Sequence, residues 1–234
     1  MALAASTFCF RLIRSVLTVV LLTAPALRGL GSTTPVWQQM SEEEFARLPE
    51  LGRPLEFGSY NRALLAAAIF HETNRVRHQL GLRRFRHRSK LDEAADIQAG
   101  IGAMLTGADH HNPFPALAET RDRVRAVGLE YERVAENIAL TMTLDVEGLG
   151  ENVRVKGAGA KREFLNPQTG RPIAPLTYAG FAVAVVKQWM ASPGHRANIV
   201  DPAMRDLGCS AHWRKDYSGF DTIYSVQVFL SPPP

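Results

Sequence analysis

The last stretch of the chain limits the possible folds most. Residues 222–230 read T-I-Y-S-V-Q-V-F-L, in which Tyr224, Val226, Val228 and Leu230 alternate with Ile223, Ser225, Gln227 and Phe229. Successive side chains of a strand point to opposite faces, so a strand apolar at both parities has no face to offer to water. It belongs inside a sheet with a layer packed on each side. Residues 207–213 are a second strand candidate, joined to the first by the polar connection 214–220 with Gly219.

The covering layers are helical. Leu64, Leu65, Ala68, Ile69, Val76 and Leu80 recur at helical spacing through residues 59–80, and Gly81 closes that helix. Leu91, Ala94, Ile97, Gln98, Ile101, Met104 and Leu105 continue the same period from residue 89 or 90 to 105. A turn then carries Asp109-His110-His111-Asn112-Pro113, and residues 116–127 form a further helix ended by Gly128. Tyr178, Phe181, Ala182, Val185, Val186 and Trp189 give one apolar face to a later helix. Two segments read less clearly. Residues 131–140, with Ala135-Glu136-Asn137-Ile138, fit a turn or a short helical piece, and residues 144–175 read as an irregular insertion. There is no internal repeat.

The later helix runs into W-M-A-S-P-G-H-R-A-N-I-V at residues 189–200. Ser192 suits an N-cap and Pro193 the first helical position, so a new helix starts at once. His195 falls in its first turn, where the positive end of the helix dipole disfavours imidazolium. A neutral ring able to accept a proton or bind a metal is expected there.

The N-terminus is of another kind. Arg11 and Arg14 precede the apolar run 15–24, which leads to Ala24-Pro25-Ala26, a small-x-small pattern like a signal-peptidase site. The run is shorter than the ~20 residues that span a bilayer, so cleavage after residue 26 is expected rather than anchoring. Cys209 is then the only cysteine left, and packing rather than a disulfide must hold the fold. Losing Arg11 and Arg14 leaves 25 basic residues against 23 acidic, so the formal charge falls from +4 to +2 and no global case for nucleic-acid binding remains. Residues 27–58 read as a leader with an accessory helix. Ser41 caps its acidic first turn, Phe45 and Leu48 give it an apolar face, and Pro49 and Pro54 break the chain after it.

Several separated motifs now fit one family. Glu72-x-Asn74-x-x-Arg77-x-x-x-Gly81-Leu82, His110-His111-Asn112-Pro113 and Glu136-Asn137-Ile138 occur in that order. They are followed by Ser192-Pro193-Gly194-His195-Arg196-x-Asn198-Ile199 behind Trp189, and by Tyr224-x-x-Gln227-x-Phe229. Together they resemble the CAP superfamily (cysteine-rich secretory proteins, antigen 5, pathogenesis-related 1), in its bacterial secreted SCP-like branch. The resemblance implies an α+β fold, a three-layer α-β-α sandwich with a central, mostly antiparallel sheet, over residues 59–231. It also implies a ligand cavity at His110, Glu136, His195, Asn137, Trp189, Arg196 and Asn198. The second acidic residue of the eukaryotic tetrad has no counterpart, since Met190, Ala191 and Ser192 follow Trp189.

His110, Glu136 and His195 could supply three ligands to a divalent metal such as zinc and leave a position for water. They could equally hydrogen-bond one another in a partly buried cleft. Ser192 beside His195 is better explained as a cap than as a nucleophile, and Arg196 as half of a salt bridge than as an anion site. His71 and His78 read as the polar flank of a helix, and His87 as part of the basic loop of Arg83, Arg84, Arg86, Arg88 and Lys90. His212 reads as a strand residue and Cys209 as a small buried one. The expected role is a secreted or periplasmic, monomeric domain binding a lipid, sterol or envelope component. The alternatives are a metal-dependent hydrolase of envelope or peptide substrates and an envelope protein-interaction module using residues 144–175.

Overall fold

Strands β5 (Asp206–Tyr217) and β6 (Phe220–Ser231) form the antiparallel hairpin at the centre of the fold, longer at both ends than the alternation alone predicts. The computed structural model describes residues 36–105, 107–149, 153–158, 162–217 and 219–234. Strand β1 (Arg86–His87) pairs with β5 in parallel and β2 (Arg133–Met142) pairs with β6 antiparallel, giving the order β1-β5-β6-β2. The alternation read from the sequence holds. Ile223 and Phe229 join one core, and Tyr224, Val226, Val228 and Leu230 join another on the opposite face.

Helices α2 (Arg62–Gln79), α5 (Tyr178–Ala191) and α6 (Pro193–Val200) cover the first face, burying Leu65, Ile69, Phe181, Val185, Trp189 and Ile199. Helices α3 (Ser89–Gly102) and α4 (Thr120–Ala126) cover the second, with Leu91, Ala95, Ala99 and Val124 against the sheet. This is the three-layer α-β-α sandwich with a mostly antiparallel sheet. Glycines permit the close approach of α3: a Cβ on Gly208 would lie 2.2 Å from the Leu91 carbonyl carbon, and one on Gly102 2.2 Å from the Tyr224 ring. Neither position tolerates a side chain without moving α3 away from the sheet.

Local signals set most helix ends. Asn61 caps α2 through the Leu64 N–H, Gly81 follows it at φ 70°, and Thr177 caps α5 through Gly180. The accessory helix α1 (Glu42–Ala46) has the full capping box between Ser41 and Glu44. Helix α3 ends before Met104 and Leu105, which are exposed, and α4 starts four residues later than expected because a 3-10 turn occupies Pro115–Leu117.

Four sequence readings are corrected. Residues 131–140 are neither a turn nor helical: all but the first two belong to β2, because the open edge of β6 supplies a backbone ladder that outweighs the weak local preference of Ala-Glu-Asn. Residues 144–175 contain a two-stranded antiparallel sheet of β3 (Arg154–Lys156) and β4 (Glu163–Leu165), and Phe164 stacks on Phe220 at 4.8 Å to fasten it to the β5–β6 hairpin. His71 is buried rather than on a polar flank: it stacks on Phe45 at 4.0 Å and bonds the Trp37 carbonyl at 2.7 Å, fixing α1 to the domain. His87 is largely buried and bonds Asp92 at 2.5 Å, although its neighbours Arg86 and Arg88 are exposed.

Candidate functional site

The motif residues converge at the β2 edge of the sheet, where the two helical layers meet. Side chains alternate along β2, so Glu136 faces the α3–α4 layer and Asn137 faces α6. The turn after α3 presents His110, and it is pinned on both sides of that residue. Tyr224 Oη–H and Gln98 Nε2–H donate to the Asp109 carbonyl at 2.9 and 2.7 Å. Buried Asn112 donates to Gln98 at 3.1 Å and receives the Phe114 N–H at 3.1 Å.

His110 Nδ1 lies 2.9 Å from Glu136 Oε1, and Arg123 Nη2 donates to Glu136 Oε2 at 2.7 Å. The arginine and carboxylate side chains are 0% and 2% exposed, so this is a fully desolvated ion pair. Arg123 also donates to the carbonyls of Leu117, Ala118 and His110. One buried cation therefore braces both the carboxylate and the backbone of the His110 turn. His111 points elsewhere, with Nδ1 3.4 Å from Glu119.

From the other layer, Asn137 Nδ2–H donates to the His195 carbonyl and to Gln227 Oε1, both at 3.1 Å. Asn198 donates to Asn137 Oδ1 at 2.9 Å and to the Glu136 carbonyl at 3.3 Å. Gln227 in turn donates to Thr73, and Thr73 to the Ile69 carbonyl of α2. These amides lock the start of α6 to the sheet and hold the His195 ring 6.5 Å from that of His110.

The two rings have opposite electrostatics. The Glu136 partner raises His110 above the ordinary histidine value of 6.5, against the effect of burial and of Arg123. His195 is lowered, first by burial and then by the charge of His110. A neutral His195 was expected from the helix dipole; burial and a neighbouring cation are the causes in place. The cleft thus sets a ring that holds its proton more tightly than an ordinary histidine beside one that holds it less tightly.

Two residues of the expected cavity set, Trp189 and Arg196, stand apart from this arrangement, and Ser192 departs from its expected capping role. Trp189 is 0% exposed in the core beneath α5, with no hydrogen-bond partner for its indole N–H, and lines no cleft. Arg196 is exposed and makes no salt bridge among the described residues. Ser192 occupies the N-cap position with extended backbone, but its hydroxyl makes no cap bond. Cys209 is buried, and burial pushes its thiol well up, which makes it an inert core residue.

The three residues expected to hold zinc do not form a three-ligand set. Glu136 spends one oxygen on His110 and the other on a guanidinium, and a cation at 2.7 Å repels a metal ion. His110 spends Nδ1 on that carboxylate and keeps only Nε2 for a ligand, so the three residues offer at most one nitrogen from each ring. Among the described residues no three of His, Cys, Asp and Glu converge as a metal-binding group. Arg123 belongs to the 116–127 helix but carries no motif, so nothing in the sequence singled it out.

The sandwich and the His–Glu–His edge define a CAP-type domain, and the sequence comparison agrees. The profile of the cysteine-rich secretory protein (CAP) family matches residues 70–229, and the chain belongs to that family. Among solved structures, the chain is similar to an extracellular protein containing an SCP domain from Bacillus anthracis str. Ames. That match has 18% identity over 72% of this chain and 41% of that one, with a TM-score of 0.44. It is also similar to a cysteine-rich secretory protein from Staphylococcus aureus subsp. aureus Mu50 (12% identity, 76% and 42% coverage, TM-score 0.46). An outer surface protein from Borrelia burgdorferi matches at 14% identity over 78% of this chain and 99% of that one, with a TM-score of 0.46. The chain spans about two fifths of the length of the first two. No curated protein sequence matches it.

Proposed function

We propose that the chain is an exported CAP-domain protein that binds a lipid-like or envelope ligand, holding its polar head between His110 and His195 without a metal ion. The observation that carries this reading is the convergence of two rings 6.5 Å apart whose proton affinities are shifted in opposite directions. A ring pushed toward its donor form beside one pushed toward its acceptor form suits a head group bearing an anionic oxygen next to a hydroxyl. The buried Arg123–Glu136 pair and the Asn137–Asn198–Gln227 amides keep the pair preorganised, so little ordering cost falls on binding.

Lipid extraction of the purified protein followed by mass spectrometry, with calorimetry using lysophosphatidylglycerol, tests the reading. Copurifying lipid and a binding heat that falls in His110→Gln and His195→Gln are expected. Absence of both signals in the wild type overturns it. Zinc heat abolished in both variants would instead restore the metal-dependent reading.

Export rests on Arg11, Arg14, the apolar run and Ala24-Pro25-Ala26, which lie outside the described residues. No helix of the described residues is long and apolar enough to cross a membrane. N-terminal sequencing of protein recovered from the medium or periplasm is expected to begin at Leu27; a chain retaining Met1 refutes cleavage.

A further inference from the structure

We infer that the opposite edge of the sheet, at β1, is a binding surface for a linear polyanion with regularly spaced phosphodiester groups. Residues 84–88 run extended along β5, with the N–H groups of Arg86 and Arg88 donating to the Arg205 and Leu207 carbonyls. In that conformation alternate residues share a face, at about 6.6 Å from one to the next. Phe85 and His87 turn inward, while Arg84, Arg86 and Arg88 are all exposed. The result is a ladder of three guanidinium groups along one edge of the domain.

The ladder is oriented from below. Asp206, whose side chain is 0% exposed, takes Arg86 Nε at 2.7 Å and stands 3.5 Å from Arg88 Nε. The Nη groups of both arginines have no protein acceptor among the described residues. Glu42 holds Arg84 through Nε and Nη2, at 2.6 and 2.9 Å. Arg86 is hydrogen-bonded at its base, Arg84 is paired with Glu42 through Nε and Nη2, and Arg88 stands beside Asp206 without a hydrogen bond; each keeps Nη donors free among the described residues, and such donors recognise phosphate oxygens. Arg83, Lys90 and Arg205 are exposed beside the ladder, and a groove of about 370 Å³ lined by Arg88, Ser89, Lys90 and Leu129 continues it. Only Glu42 and buried Asp206 oppose this charge directly; Asp92 is engaged by His87.

The occupant follows from geometry and charge. A row of cations at regular spacing matches a linear chain with one negative charge per repeat, and a three-carbon phosphodiester repeat has comparable length. The surface lies across the sheet from the His110–His195 cleft, so it does not depend on that site.

The test is fluorescence anisotropy with a labelled poly(glycerol phosphate) oligomer over a range of salt concentrations. Wild type is expected to bind with a linear log–log salt dependence. Arg84→Gln/Arg88→Gln, which leaves Arg86 on Asp206, is expected to bind about tenfold more weakly and to lower the slope by about 1.4, near 0.7 per lost contact. Arg84→Lys/Arg88→Lys retains the charge and keeps the slope, which separates lost contacts from lost folding. Arg121→Gln/Arg125→Gln, exposed on α4, leaves affinity unchanged. Equal loss in the α4 variant, no loss in the ladder variant, or binding to phosphatidylglycerol vesicles but not to the oligomer overturns the proposal.

Discussion

His110 and His71 are the same residue in two surroundings, and the contrast separates a site from a staple. His110 is half exposed, faces a carboxylate and is pushed toward its charged form. His71 is buried between Phe45 and Phe70, donates to or accepts from nothing charged, and is pushed toward its neutral form by desolvation. The first keeps a ring nitrogen for a ligand. The second spends its polar atom on the Trp37 carbonyl and its ring on packing. A histidine's role here is set by what surrounds it, and each half of the contrast can be broken separately.

The largest effect is expected from Arg123→Met. Removing one member of a fully buried ion pair leaves Glu136 in a desolvated pocket, at a cost of about 3–5 kcal/mol in urea denaturation. His110 is expected to rise further by NMR titration, since Arg123 opposes its protonation. Stability within 1 kcal/mol of wild type would show that the cleft is held by other contacts.

Phe45→Ala attacks the other region. It deletes a buried ring stacked on His71 and is expected to cost about 3 kcal/mol. Opening that packing moves His71 up toward the ordinary histidine value and leaves His110 where it was. A shift at His110 instead would mean that the two regions are coupled.

Asn137→Ala removes the amide that holds the His195 carbonyl to Gln227, with an expected cost of about 1–3 kcal/mol. Ligand heat should fall more than stability does, because the spacing of the two rings depends on this contact. Unchanged ligand affinity would take Asn137 out of the site.

The smallest effects are in the pH dependence, and they have opposite signs. His71 binds its proton less readily folded than unfolded, so its contribution is whole above about 6.5 and is lost as pH falls below it. His195 acts in the same direction. His110 has a raised folded value, so its contribution is whole below about 6.5 and is lost as pH rises through that higher value. Urea midpoints between pH 5 and 8.5 should therefore show a shallower acid loss in His71→Phe and a shallower alkaline loss in His110→Gln. Parallel curves for the two variants contradict the assignment.

Much of the site could be read without coordinates because its residues sit in short, ordered motifs: His110 with Asn112, Glu136 with Asn137, His195 with Asn198. What could not be read was the neighbour that acts across the chain. Arg123 belongs to no motif, and only its burial against Glu136 gives it a role. Trp189 erred the other way, since its place in a motif suggested a cavity wall while packing placed it in the core. β2 was misread because Ala-Glu-Asn carries little strand preference of its own, and a strand's partner supplies what its sequence lacks.

By itself, the sequence determined the local structure and the layering. Ser41, Asn61, Thr177 and Gly81 mark helix ends through bonds and angles made within a few residues, and the two-sided apolar run of β6 requires a layer on each face. The tertiary structure alone decided which histidine is pushed toward its charged form, which toward its neutral form and which is merely packed. Protonation follows burial and the nearest charge, and for His110 both come from residues 13 and 26 positions away, Arg123 and Glu136.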